Sequence, residues 1–361
     1  REKMVRGEQD LDWGCAEALA FGSLVADDRI SIRLAGQDSA RGTFSHRHSV
    51  IRDQKTAEDY VPLNDLWKKE GDEESGHFES WDSLLSEEAA LGFEYGYALA
   101  REDALVFWEA QFGDFANGAQ IQIDQFVTSG EAKWKQLSGL VMLLPHGYDG
   151  QGPEHSSARP ERFLGLCSSG NMSICNASTA AQYFHLVRRQ GLTERKRPMI
   201  VFTPKSLLRD KRAASPVHEL DSGRFLELID DSHVEASKVD RVIFCSGKVY
   251  HDLDAHRREA GVEDTAIVRL EQLYPLPKSA ITELLERYQP NEVVWCQEEP
   301  RNMGFWPFMM QRFRDMNVEA RYCGRPESSS PATGSYGRHK AEQEYLLKNA
   351  FSASEAVGAG S

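Results

Sequence analysis

The sequence predicts a doubly wound α/β fold with two domains, each built on a mainly parallel sheet. Short apolar runs alternate with amphipathic stretches from about residue 30 to 325, and strand–helix alternation of this kind is typical of such folds. The runs are nearly all apolar, as expected for parallel strands that helices cover on both faces. The length of 361 residues is sufficient for two or three domains.

Seven apolar runs are predicted to be strands because each is short and almost free of polar residues. They are Ile30–Leu34, Ala104–Trp108, Leu140–Leu144, Met199–Phe202, Val242–Phe244, Ala266–Val268 and Val293–Trp295. Helices are expected between them. In Ser86–Ala100 the residues Ala89, Phe93 and Tyr97 recur every four positions, which predicts an apolar helix face. A second helix is predicted at Tyr183–Gln190.

Turn signals and charge divide the chain. Residues 205–240 contain Ser-Pro, Asp-Ser-Gly and Asp-Asp-Ser and no convincing strand. We therefore predict a first domain at 10–210, a linker at 211–239, a second domain at 240–350 and a disordered tail at 351–361. Residues 68–80 are expected to form a solvated loop. Because the first residue is Arg1 and not Met, we expect a fragment of a longer polypeptide.

Composition excludes several classes of protein. The net charge is −14 and the 42 basic residues are scattered, so no basic patch indicates nucleic-acid binding. No apolar run approaches the ~20 residues of a membrane span. The six cysteines are widely spaced without a Cys-x-x-Cys pair. Cys175, Cys245 and Cys296 lie in or beside predicted strands, which favours buried, inert thiols in a reducing compartment.

Two segments carry candidate site residues near the end of a strand or a helix. One segment contributes an acid and the other contributes aromatic rings. Glu87 opens a predicted helix, where acids are in any case favoured by the helix dipole, and Glu88 stands beside it. Phe112-Gly-Asp-Phe115 follows a predicted strand, where α/β sheets bind ligands. Pattern alone leaves a structural role open for both segments.

Two polar loops also follow predicted strands. His146 and His155 are nine residues apart in a glycine-rich loop, which is a poor metal site because the spacing is not that of a helical pair. A phosphate loop is conceivable from the glycines, but no Gly-Lys-Ser/Thr follows. The pattern of the loop from Gln37 to His48 is typical of a polar turn. By itself, the pattern predicts only a structural role for this loop.

Over about residues 10–350 the sequence resembles thiamine-diphosphate enzymes, and within them the E1 component of 2-oxoglutarate dehydrogenase matches best. Three strings carry the resemblance: Trp108-Glu-Ala-Gln-Phe-Gly-Asp-Phe, Gly152-Pro-Glu-His-Ser-Ser-Ala-Arg and Trp295-Cys-Gln-Glu-Glu-Pro. The resemblance implies a transketolase-like pyrimidine-binding domain followed by the C-terminal domain of that family.

The resemblance also implies roles for individual residues. Glu87 and His155 are expected to be catalytic, Glu87 through a hydrogen bond to a nitrogen of the aminopyrimidine ring. Around the cofactor and the substrate it places a larger set: Phe112, Phe115, Gln37 and Asp38 near the cofactor, and His146, His46 and His48 near the substrate. Arg189 matches an arginine with which actinobacterial relatives bind the activator acetyl-CoA, so an allosteric role is expected there.

The activity that the resemblance implies is oxidative decarboxylation of 2-oxoglutarate in the tricarboxylic acid cycle, with succinyl transfer to the lipoyl group of E2, the dihydrolipoyl succinyltransferase. The expected cofactors are thiamine diphosphate and Mg²⁺. The chain has no Gly-Asp-Gly motif, so the Mg²⁺ ligands are expected outside it, in a missing N-terminal region or second subunit of a homodimer. The expected compartment is the bacterial cytoplasm or the mitochondrial matrix. A 2-oxoadipate dehydrogenase homologue and a non-catalytic dimerisation or binding module remain alternatives.

Overall fold

The structure is a computed structural model and describes residues 1–66 and 76–352. Most of the loop predicted at 68–80 lies outside the described residues. So does the predicted tail, except that Phe351 ends the last helix and residue 352 follows it.

The described residues form fourteen strands. In chain order they are β1 Ser31–Gly36, β2 Ile51–Arg52, β3 Asp59–Tyr60, β4 Phe78–Asp82, β5 Ala104–Glu109, β6 Val141–Pro145, β7 Ser173–Cys175, β8 Met199–Thr203, β9 Leu228–Ile229, β10 Arg241–Cys245, β11 Thr265–Leu270, β12 Gln272–Tyr274, β13 Glu292–Pro300 and β14 Ala320–Arg325.

The same part of the chain forms twelve α-helices. They are α1 Glu2–Val5, α2 Trp13–Ala26, α3 Glu87–Ala100, α4 Gln120–Gln122, α5 Gly130–Trp134, α6 Pro160–Gly165, α7 Ala180–Leu192, α8 Val217–Ser222, α9 Val249–Ala260, α10 Lys278–Tyr288, α11 Trp306–Asp315 and α12 Tyr336–Phe351. Short 3₁₀ helices at Gly113–Ala119 and Pro153–His155 matter for the site described below.

Two sheets organise the strands. The first has seven strands in the order β12-β7-β8-β6-β5-β1-β4, and all its pairs are parallel except β12 with β7. The second has five strands in the order β14-β13-β10-β11-β9, parallel except for β9 with β11. The predicted mainly parallel α/β fold is confirmed, and each of the seven predicted strands lies in one of these sheets.

Alternating side chains of each strand pack against helices on opposite faces. In β5, Leu105 and Phe107 join a core with α2 and α7, whereas Val106 and Trp108 join a core with α3. The core on the α3 side continues without a break to one face of the five-stranded sheet, through Phe244 and Trp295. The two sheets therefore share one hydrophobic core. Cys175, Cys245 and Cys296 are free and fully buried in these strands.

The inward face of α3 differs from the predicted one. Leu91, Tyr95 and Ala98 are buried, whereas Phe93 is 60% exposed. The cause is Glu94, which turns inward because it forms an ion pair with Arg33 of β1 at 2.7 Å. A buried charge needs such a partner, and the pairing rotates the helix away from the apolar stripe that the four-residue spacing predicts.

The segment predicted as a linker contains α8 and β9. Helix α8 packs on α7, and β9 pairs with β11 of the second sheet. The exact domain boundaries stay a prediction. Within residues 1–66 and 76–352, no helix is both long and apolar enough to cross a membrane.

Candidate active site

Several predicted site residues come directly after parallel strands of the seven-stranded sheet. Gln37 follows β1, Phe112 comes three residues after β5, and His146 follows β6. Lys205, which the sequence did not single out, comes two residues after β8. The carboxyl ends of parallel strands meet at one edge of a sheet, and that edge is where α/β folds bind ligands.

Glu87 begins α3, and the hydroxyl of Ser86 caps this helix by accepting a hydrogen bond from the Ala89 amide at 3.3 Å. The side-chain amide of Gln37 donates to Oε1 of Glu87 at 3.2 Å. The 3₁₀ helix Gly113–Ala119 passes close by, because a methyl group on Gly118 would lie 3.3 Å from Oε2 of Glu87. Among the described residues Gln37 is the only hydrogen-bond partner of this carboxylate. Its second oxygen has no hydrogen-bond partner in the same part of the chain.

An aromatic cluster lies around Phe112. The imidazole of His155 meets this ring edge-on, with centroids 4.6 Å apart and planes at 89°. Phe115 stands edge-on to Phe112 at 6.0 Å, and Phe44, from the loop after β1, does the same at 5.4 Å. The predicted residues Phe115 and His155 therefore meet the predicted ring of Phe112, together with Phe44, which was not predicted.

The loop that carries His155 is anchored on the sheet. The ammonium group of Lys205 donates to the carbonyl oxygen of His155 and, at 2.7 Å, to Oε1 of Gln151. The backbone amide of Ser157 donates to Oδ2 of Asp114 at 3.2 Å. These contacts hold the backbone on both sides of the imidazole, so the position of His155 depends on residues from two other loops.

Lys205 and Asp114 have pKa values shifted towards their neutral forms. Burial lowers the pKa of Lys205, although Asp149 and Asp114 oppose the shift. Burial also raises the pKa of Asp114, against the hydrogen bond from Ser157. Oδ1 of Asp114 is buried without a hydrogen-bond partner in the described part of the chain. Opposed shifts in adjacent groups are typical of functional sites. Sequence reasoning overlooked Lys205, whose only local signal is its place after a buried strand.

His146 lies beneath this loop with both ring nitrogens engaged. Nδ1 accepts a hydrogen bond from the Ala158 amide at 3.1 Å, and Nε2 lies 2.6 Å from Oε1 of Glu299. The side chain is buried. In this arrangement neither nitrogen is left for a substrate, so the expected substrate contact of His146 is not what the geometry supports.

The other two histidines of the prediction point in different directions. The side chain of His46 is 8% exposed and packs on Gly42, where a Cβ atom would lie 2.5 Å from the imidazole ring. Burial lowers the pKa of His46, and the neighbouring Arg47 lowers it further. The side chain of His46 is therefore largely buried, and its expected place near the substrate stays a prediction. His48 is exposed. Asp38 is half-buried and forms an ion pair with Arg41, while its backbone carbonyl accepts from Gly42.

A buried charge cluster explains why the loop after β1 turns inward. Arg47 is 3% exposed and bonds to Glu17 of α2 and Glu109 of β5, each at 2.7 Å. It also donates to the carbonyl oxygen of Ser39 at 2.9 Å. Tyr183 of α7 donates to Glu17 at 2.9 Å. The cluster fixes the backbone that leads from Gln37 to His46.

Arg189 contacts strands β7 and β12 of the seven-stranded sheet, through Cys175 and Gln272. Its guanidinium donates to Oε1 of Gln272 in β12 at 2.7 Å and to Glu227 at 3.3 Å, and it stacks on Phe225 at 4.3 Å. The structure therefore joins Arg189 to the second half of the chain and does not bring it to the other predicted residues. Among residues 1–66 and 76–352, no group of three or more His, Cys, Asp or Glu side chains forms a candidate metal site.

Comparison with protein families finds a match for each half of the chain. Residues 9–211 match the model of the transketolase pyrimidine-binding domain. The chain belongs to this family. Residues 214–351 match the model of the 2-oxoglutarate dehydrogenase C-terminal domain. The resemblance inferred from the sequence is confirmed for both halves.

Curated relatives agree with the two family models. Three of them are named 2-oxoglutarate dehydrogenase E1 component. The protein from Cupriavidus necator is 52% identical over 361 residues, that from Haemophilus influenzae 50% over 357, and that from Brucella anthropi 49% over 369. These alignments cover 97%, 98% and 97% of this chain. They cover 37%, 38% and 36% of the relatives, so the chain spans little more than a third of their length.

The residues at the carboxyl edge fit the aminopyrimidine ring of thiamine diphosphate. Glu87 offers a carboxylate oxygen without a partner in the described part of the chain, and Gln37 fixes the other oxygen. Phe112 supplies an aromatic surface of the kind that stacks on a flat heteroaromatic ring. A transketolase pyrimidine-binding domain implies this cofactor.

Proposed function

We propose that this chain forms the pyrimidine-binding and C-terminal domains, with boundaries near 10–210 and 240–350, of an E1 component that decarboxylates 2-oxoglutarate. The proposal rests on the Glu87 carboxylate, which Gln37 holds, together with the His155 imidazole, which packs on Phe112. The chain that carries them is 52% identical to an E1 component. The relatives are bacterial, which favours the bacterial cytoplasm over the mitochondrial matrix.

Thiamine diphosphate, when bound, supplies the carbon nucleophile and the electron sink for loss of CO₂. In the proposed site Glu87 shares a proton with a nitrogen of the pyrimidine ring, and positioned proton transfer of this kind typically contributes 10²–10⁴-fold. Phe112 and Phe115 hold the ring and exclude water. His155 donates a hydrogen bond to the substrate, where one donor to developing negative charge is worth about 10²–10³ in rate.

The diphosphate and Mg²⁺ require residues that this chain does not supply. A hard octahedral cation takes carboxylate and amide oxygen ligands, and the Gly-Asp-Gly motif that would bring them is absent from the sequence. We propose that another region of the full-length protein, or a second subunit of a homodimer, provides them. We further propose that the succinyl group passes to a lipoyl group on E2.

The test uses the full-length protein with thiamine diphosphate and Mg²⁺. The expected result is CO₂ release from 2-oxoglutarate and succinylation of an added lipoyl domain, followed by mass spectrometry. The 361-residue segment alone is expected to be inactive under the same conditions, because its sequence lacks the Gly-Asp-Gly motif for the metal-bound diphosphate. A preference for 2-oxoadipate would replace the proposed substrate. A full-length dimer that turns over neither acid would point to a non-catalytic module.

A further inference from the structure

Glu299 connects the five-stranded sheet to the candidate active site. It lies in β13, is 4% exposed, and approaches Nε2 of His146 to 2.6 Å from the other sheet. Its carbonyl oxygen accepts a hydrogen bond from Nε2 of Gln297 at 3.2 Å and lies 3.0 Å from the Tyr322 hydroxyl. Gly304 packs so closely that a methyl group there would lie 2.6 Å from Cβ of Glu299. The carboxylate is therefore held in one place.

The hydrogen bonds of His146 define its tautomer. The Ala158 amide donates to Nδ1 at 3.1 Å, so Nδ1 carries no proton. The proton is then on Nε2 and is donated to Glu299. The hydrogen bond made by one ring nitrogen sets the protonation of the other. Without the carboxylate, Nε2–H would lose its acceptor and the Nε2–H tautomer would lose its support. A proton that moved to Nδ1 would then face the Ala158 N–H, and the bond to Ala158 would be lost.

Ala158 lies three residues beyond His155, in the same loop. Lys205 and Asp114 anchor that loop from the seven-stranded sheet, and His146 adds an anchor that depends on the other sheet. Two further contacts join the same segment to the second half of the chain. The guanidinium of Arg159 lies 3.4 Å from the Met303 sulfur, and Oε2 of Glu161 accepts from the Gly304 amide at 2.7 Å.

We propose that Glu299 is a positioning residue for the reaction. By fixing the tautomer of His146, it holds the Ala158 backbone and so sets the position of His155 against Phe112. The proposal rests on the proposed function and gives the C-terminal domain a part in the active site. It does not make Glu299 catalytic, because its carboxylate contacts His146 and no reacting group.

The test is a series of substitutions in the full-length protein. Glu299→Met keeps the volume and removes the acceptor, and we expect kcat/KM to fall about 10²-fold, as a small misplacement of a reacting group does. Glu299→Gln keeps an oxygen for Nε2–H and should restore most of the activity. If the methionine variant does not fold, Glu299→Asp takes its place. This change moves the carboxylate away from Nε2 of His146, and its kcat/KM is expected to lie between those of Glu299→Met and Glu299→Gln. Glu286→Met, at an exposed glutamate of α10, is the matched control.

Two further measurements separate positioning from a general loss of stability. Hydrogen exchange of the peptide spanning residues 147–159 should accelerate in Glu299→Met and not in Glu299→Gln. In a His155→Ala background, Glu299→Met should cost little further activity, because residues that act through one another are not additive.

The proposal would be overturned if Glu299→Met lowered activity equally in the wild-type and His155→Ala backgrounds. It would also be overturned if Glu299→Met left both the hydrogen exchange of residues 147–159 and kcat/KM unchanged while the wild type is active. Absence of turnover in the wild type would instead sink the proposed function, and with it this role.

Discussion

The side-chain amide of Gln37 holds one oxygen of Glu87 at 3.2 Å and leaves the other oxygen facing Gly118. This bond joins the loop after β1 to the first residue of α3, fifty positions later in the sequence. The carboxylate thus has a fixed orientation before any ligand arrives. A preset acceptor of this kind loses little conformational entropy when it binds.

Replacing Glu87 with glutamine is expected to slow exchange of the C2 proton of bound thiamine diphosphate by about 10²–10⁴-fold. The amide keeps the volume and the contact with Gln37 but offers no carboxylate to a ring nitrogen. NMR of the full-length protein loaded with cofactor measures the exchange. Glu88→Gln, at the exposed neighbour, is the control and should exchange normally. The reverse pattern would assign the carboxylate role to Glu88.

His155→Ala should leave the affinity for thiamine diphosphate near normal and lower kcat/KM by about 10²–10³. The reason is the loss of one donor to developing charge, while the loop stays anchored through its backbone by Lys205 and Asp114. His233→Ala, at an exposed histidine outside both sheets, is the matched control. Melting temperature is measured on the same preparations. A destabilised His155→Ala variant with unchanged kcat/KM would make this histidine structural.

Gly113→Ala is expected to destabilise the protein by about 1–3 kcal/mol, because it overpacks a closed site. A methyl group at Gly113 would lie 2.4 Å from Cβ of Ala158 and 2.8 Å from the Pro145 carbonyl oxygen. Since Ala158 must move, kcat/KM should fall as well. Gly96→Ala in α3 is the control, because nothing lies within 4 Å of the new methyl group. It should stabilise the helix by roughly 0.5–1 kcal/mol. Equal melting temperatures for the two variants would contradict the packing argument.

Arg47→Met should cost about 3–5 kcal/mol at neutral pH, because it leaves the carboxylates of Glu17 and Glu109 buried without their partner. Thermal unfolding of the full-length protein measures the effect. Arg52→Met removes one side of the exposed pair with Asp59 and should change the melting temperature little. Similar losses in both variants would show that burial of the cluster does not matter.

The Arg47 effect is expected to depend on pH. Burial alone raises the pKa of Glu17, but Arg47 and His46 outweigh it, so this pKa lies below the ordinary 4.5. A lowered folded-state pKa gives stability that is present above pH 4.5 and is lost as the pH falls through the folded value. In Arg47→Met the largest opposing group is gone, burial outweighs what His46 and Tyr183 contribute, and the pKa of Glu17 rises, so protonation stabilises the variant. The difference between the two proteins should therefore shrink in acid.

The strands with continuous apolar runs could be predicted from the sequence, and the half-polar or very short strands could not. The run Val141–Pro145 is fully buried on both faces, so its composition alone indicates a central strand. Strand β4, Phe-Glu-Ser-Trp-Asp, lies at an edge and is half polar, and β7 has only three residues. Neither offers a run long enough to separate a strand from a loop.

Candidate site residues could be proposed from the sequence where they follow strands or carry a family motif, and their roles stay predictions. Gln37, Glu87, Phe112 and His155 belong to that group. The ion pair of Glu94 with Arg33 and the bond of Glu299 with His146 join residues 61 and 153 positions apart. Local periodicity contains no information on such pairs, and they decide which face of α3 is buried and how His146 is used.

The antiparallel pairing of β12 with β7 has a consequence for how the two halves of the protein unfold and separate. A strand from the second half of the chain completes the sheet of the first half, and the two sheets share a core. Neither half has its full complement of neighbours without the other. Expressed separately, residues 10–210 would present the backbone of β7 as a bare edge, a template for self-association. The intact segment should melt in a single transition, and a cut near residue 225 should yield two pieces that stay together.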